Sequence, residues 1–156
     1  VRQARKKTEE LAALLATTAL QTGYPLDELK AGLEQVQASV RQAELAGTFD
    51  ALKAQAELQS AARAADALER RIAEFQKNAA FFREMQSRFG QRIERIKSES
   101  GREEERQALA AIAEQAAEAL RTLEEAMRAG KAVNLRAAAV GIEKLLGQAS
   151  GAGRLE

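Results

Sequence analysis

The chain has 156 residues, 46% hydrophobic but only 4% aromatic, so its apolar content is mostly Ala and Leu. That composition points to bundles about one helix pair thick and away from a globule with a deep pocket. Its 24 basic and 23 acidic residues leave a net charge of +1, too small a global field to argue for nucleic acid or an acidic substrate. Cysteine and histidine are both absent, which excludes a disulfide framework and removes the commonest general base and transition-metal ligand.

Residues 2–22 carry Leu11, Leu14, Leu15 and Thr18 at helical spacing, and Gly23 offers a left-handed C-terminal cap. Pro25 suits the first turn of a second helix, where its missing N–H costs nothing. That helix reads Leu26, Leu29, Leu33, Val36 and Val40, a seam whose spacing alternates between 3 and 4. Gly47 closes it, and Thr48 is the expected N-cap of a third helix, with Asp50 in its first turn.

The third helix is expected over residues 48–98, which contain no Pro, with a length of roughly 75 Å. Leu58, Ala61, Ala65, Leu68, Ile72, Phe75, Ala79 and Phe82 keep the same alternation. Met85, Phe89, Ile93 and Ile96 continue it after a phase slip, which overwinds the seam or hands it to a new partner. Ser100 and Glu103 fit a capping box opening a fourth helix, which carries Leu109, Ile112, Ala116, Leu120, Leu123 and Met127. A fifth starts around Asn134 and shows Leu135, Ala138, Ile142 and Leu145. The Gly-rich stretch from Gly147 to Gly153 reads as a flexible tail, and Leu155-Glu156 as a vector scar.

The expected fold is therefore all-α: an elongated antiparallel helical bundle or coiled coil of five helices. Two three-helix bundles would share the long central helix, with residues 1–75 as one half, 76–150 as the other and 151–156 as the tail.

No catalytic set emerges: the sequence holds no Gly-rich phosphate loop, no zinc-protease motif and no nucleophile elbow. Glu103, Glu104 and Glu105 point around a helix start, where they match its dipole. Glu114 and Glu118 share a face, but without His a carboxylate-bridged metal pair is not expected, and neither is a cofactor. The least ordinary segment is 81–97, with three of the five Phe residues and five cations against two carboxylates. Phe81, Met85, Arg88, Arg92 and Arg95 make it the expected partner-binding surface, aromatic anchors rimmed by Arg. The competing account is a wide internal stripe with Arg stems along its margins.

The function expected is a non-enzymatic protein-interaction or scaffold module of a bacterial assembly, engaging a protein partner or a second copy. The alternative is an extracytoplasmic helical sensing domain of a membrane receptor. Nucleic acid is not an expected partner. Membrane contact is expected only through flanking segments, because the helices lack a Lys-rich polar face opposite a Trp/Phe apolar one.

Overall fold

A computed structural model describes the backbone of residues 2–99 and 101–154, with side chains as far as residue 149. Among these residues the protein is all-α, with five helices and no strand. They are α1 (Arg2–Thr22), α2 (Asp27–Ala46), α3 (Ala51–Ser98), α4 (Glu103–Ala129) and α5 (Leu135–Arg154). The chain divides into two compact units: Val1–Lys77 with Met127–Ala132, and Asn78–Ala126 with Val133–Glu156.

In the first unit, each helix buries most of the stripe that its apolar spacing prescribes, with Leu14 and Leu58 left half-buried at its margin. α1 buries Thr8, Leu11, Leu15 and Thr18; α2 buries Leu29, Leu33, Val36, Val40 and Ala43. The first part of α3 adds Ala61, Ala65, Leu68, Ile72 and Phe75. Thr18 is the one fully covered polar side chain among the described residues, and both of its hydrogen-bonding roles are used. Its hydroxyl donates to the Leu14 carbonyl at 2.8 Å and accepts from the Gln76 amide at 3.0 Å, tying α1 to α3. Ion pairs Arg5–Glu44 and Lys7–Glu69 add links at the rim.

The α1–α2 turn differs from the sequence expectation. Gly23 does cap α1 in the left-handed region, at φ 74°, with its N–H donating to the Ala19 carbonyl at 2.8 Å. Pro25, however, stays outside the helix, and α2 begins only at Asp27. Leu26 between them is itself left-handed, at φ 56°, a conformation costing a non-glycine residue about 1–2 kcal/mol. Tertiary contact overrides that cost. The Leu26 side chain is completely buried, and its N–H donates to the Arg128 carbonyl at 2.7 Å. The C-terminal end of α4 thereby docks on this turn. Gly130, at φ 78°, ends that docking segment directly against Leu29.

At the α2–α3 turn the cap is Asp50, not Thr48. The Thr48 hydroxyl donates to the Leu45 carbonyl, so it is spent on the end of α2. Asp50 Oδ1 accepts from the N–H groups of Leu52 and Lys53, at 3.1 and 3.2 Å. A carboxylate also complements the helix dipole, which a hydroxyl does not. Asp50→Ala is expected to cost about 1 kcal/mol in thermal or urea unfolding. Thr48→Ala should stay within about 0.5 kcal/mol of the parent.

The second unit holds the two fully buried phenylalanine rings, Phe82 and Phe89. α3 supplies Phe82, Met85, Phe89 and Ile93; α4 supplies Leu109, Ala113, Ala116 and Leu123; α5 supplies Leu135, Ile142, Leu146 and Ala149. Gln86 donates to Glu124 at 2.8 Å, joining α3 to α4, and Arg92 pairs with Glu143 at 2.7 Å, joining α3 to α5. Of the expected α4 capping box, Ser100 lies outside the described residues; the helix opens on Glu103, Glu104 and Glu105. Asn134 caps α5 as expected, its side-chain oxygen accepting from the Ala137 N–H at 3.1 Å. The flexible tail expected from Gly147 is instead helix, since α5 continues to Arg154. Gly147 weakens a helix by about 1 kcal/mol, but Ile142, Leu146 and Ala149 continue one buried stripe across it. Packing of that stripe outweighs the local penalty.

Candidate interaction surfaces

Most of the charged chemistry of this protein is spent on its helix flanks. Hydrogen bonding and charge from Arg5 hold the Glu44 carboxyl below its ordinary range, and Arg121 does the same to Glu114. Arg121 lies 2.8 Å from Glu114 and 2.6 Å from Glu118, all on the exposed side of α4. These are surface ion pairs, screened by salt, and Arg5 and Glu44 border an open depression with Gln37, Val40 and Arg41. Among the described residues no group of three or more carboxylates gathers as a metal would require.

The segment singled out in the sequence is divided by the fold. Phe81 reaches the surface, 38% exposed, while Met85 is 2% exposed and belongs to the core of the second unit. Met85 is therefore removed from the expected partner face. The phase slip carries it, with Phe82 and Phe89, onto the inward stripe of α3. Arg88 lies over the ring of buried Phe89, 5.0 Å from its centroid, where cation and ring face attract. Arg92 is engaged by Glu143, and Arg95 is exposed in the last turn of α3.

What remains is a narrower strip. Phe81, Arg88 and Arg95 recur every seven residues, so they share one line along α3. Val140 on α5 is 55% exposed and borders one shallow depression with Arg88 and Lys144. Val140 was not legible as a surface residue, because it falls among the alanines of α5 without breaking a helical pattern.

A second surface was missed by the sequence reading. Leu45 is 70% exposed, Phe49 92% and Leu52 80%, all around the α2–α3 turn. Half of the exposed large apolar side chains among the described residues thus fall within eight positions. A signal was available. Leu45 is out of phase with Val36, Val40 and Ala43, and Leu52 is out of phase with Ala54 and Ala61. Neither fits the seam of its own helix.

Fold and surfaces together define an all-α protein that presents exposed apolar side chains with adjoining cations. Among the described residues, no helix is long and apolar enough to cross a membrane. No protein-family model matches the chain, nor does any curated protein or solved structure.

Proposed function

We propose that this protein is a non-enzymatic helical interaction or scaffold module, and that the Phe81–Arg88 strip of α3 engages a protein partner. The observation that carries this reading is the alignment of exposed Phe81 and Arg88 on one line of α3, with exposed Val140 bordering Arg88 and with Phe82, Met85 and Phe89 buried on the inward side of the same helix. An aromatic edge and an arginine on a rigid, well-packed backing are the ingredients of an interface hot spot. Rigidity matters because a preorganised face loses little side-chain freedom on association.

The test separates binding from folding. Phe81→Ala is expected to cost about 1 kcal/mol of stability, well below the roughly 3–5 kcal/mol of a fully buried ring. Together with Arg88→Glu it should abolish partner capture, and any concentration-dependent self-association seen by sedimentation velocity. Arg92 is left intact in this variant because its loss would break the pair with Glu143. Association unchanged in the double variant would count against this face, as would a loss of stability as large as that for Phe82→Ala.

A further inference from the structure

We infer that the α2–α3 turn docks on an anionic lipid surface, with Leu45, Phe49 and Leu52 entering the acyl boundary and the cations behind them meeting the headgroups. This does not depend on the reading of the Phe81 strip.

Three large apolar side chains this exposed call for a partner that can cover them together, and their geometry selects its kind. Leu45 is two positions from buried Ala43, and Leu52 two positions from buried Ala54. Two positions are about 200° of helix, so each points away from the inward side of its own helix. With Phe49 at the apex, they surround the end of the hairpin and do not line one face of it. A partner helix or sheet covers a face. A lipid interface wets every side of an inserted end. All three also lie within about one helical turn of the apex, the depth of roughly 5–10 Å reached by interfacial apolar groups.

Charge agrees with a lipid partner of negative sign. The Arg5–Glu44 pair places the first turns of α1 beside the end of α2. Exposed Arg2, Lys6, Arg41 and Lys53 therefore sit within a few turns behind the apolar residues. Of the carboxylates at this end, Glu44 is paired with Arg5, while Asp50, which caps α3, and Glu57 keep their charge. Arg2, Arg5, Lys6, Arg41 and Lys53 still outnumber them, and Glu9 and Glu10 lie further from the tip along α1. A second copy of the chain docked end to end would set these cations against one another. A bilayer rich in anionic lipid attracts them, with a strength that falls as salt rises. A long amphipathic face is needed by a helix that lies flat in the interface. An end that enters tip-first does not need one.

The chain contains no Trp, so Phe49→Trp places a single environment-sensitive reporter at the apex. Its emission is expected to shift to the blue with vesicles of mixed phosphatidylcholine and phosphatidylglycerol, and to change little with phosphatidylcholine alone. Cosedimentation of the parent with the mixed vesicles should weaken by about tenfold or more in Phe49→Ser/Leu52→Ser, the loss expected when two apolar side chains leave the acyl boundary. Arg2→Glu/Lys6→Glu should weaken it too, as should raised salt. Circular dichroism and melting should be unchanged in both variants, because every altered residue is exposed. Failure of the parent to bind the mixed vesicles at low salt would overturn the proposal. So would equal binding by Phe49→Ser/Leu52→Ser, or a sedimentation result in which those serines abolish a dimer and leave vesicle binding intact.

Discussion

Phe89→Ala is expected to lower the free energy of unfolding by about 3–5 kcal/mol, a fall in melting temperature on the order of 10 °C for a chain of this size. Phe89 is completely buried, with Phe82 at 1% and Ile93 at 4% exposure on the same stripe of α3. The cost of removing a ring depends on how far its surroundings can collapse into the void. Here the fully buried contributors from α4 include Ala113 and Ala116, whose methyl groups cannot extend to fill it. Arg88 would also lose the ring face beneath its guanidinium. Urea unfolding of Phe89→Ala beside Phe81→Ala gives the comparison between adjacent faces of one helix. A cost for Phe89→Ala near 1 kcal/mol would mean that the second unit is loosely packed or that α3 rotates to compensate.

Gly130→Ala should cost about 3 kcal/mol, and the two sources of that figure can be separated. An alanine at φ 78° pays about 1–2 kcal/mol for the left-handed backbone. Its Cβ would also lie 2.9 Å from Leu29 Cγ and 3.0 Å from Leu29 Cδ1, inside van der Waals contact. Leu29 is 1% exposed and cannot swing out, so a further cost of about 1–3 kcal/mol for overpacking follows. A stiffer unfolded chain offsets a few tenths. Gly23 supplies the control: its φ is 74°, but a Cβ there meets nothing within 4 Å. Gly23→Ala should therefore show the backbone part alone, about 1 kcal/mol. In Gly130→Ala/Leu29→Ala the clash disappears, so the double variant should be less destabilised than the sum of the singles by about 1 kcal/mol or more. Equal costs at Gly23 and Gly130 would show that Leu29 yields freely.

The inward stripes were readable because periodicity is a property of the local chain. Leu29, Leu33, Val36 and Val40 repeat at helical spacing, and all four are buried. Asn134 was readable for the same reason, since a cap acts across three residues. What failed depended on partners distant in sequence. The left-handed Leu26 is held by Arg128, about a hundred positions away, and nothing beside Pro25 announces it. α5 runs through Gly147 because Leu146 and Ala149 are covered by the fold, against the preference of the glycine itself. Met85 fits both the continuing seam of α3 and, with Phe81, a second apolar edge beside it, and only burial assigns it to the core. The Phe81 face and the apolar apex were both partly encoded. Sequence supplied the residue types, but only burial separates Phe81 from Phe82, and Phe49 from an ordinary core ring.

The segment Met127–Ala132, with fully buried Met127, belongs to the unit built from the first 77 residues. Neither unit is thus a continuous stretch of gene, and no single cut releases the first one whole. During synthesis, α1, α2 and the start of α3 leave the ribosome well before the residues that complete their core. Until position 132 has emerged, Leu26 lacks the carbonyl that holds it and Leu29 lacks the glycine that closes over it. Long-range contacts of this kind slow folding and make it depend on the last fifth of the chain. A truncation after α3 would yield helices whose first core is still missing its plug.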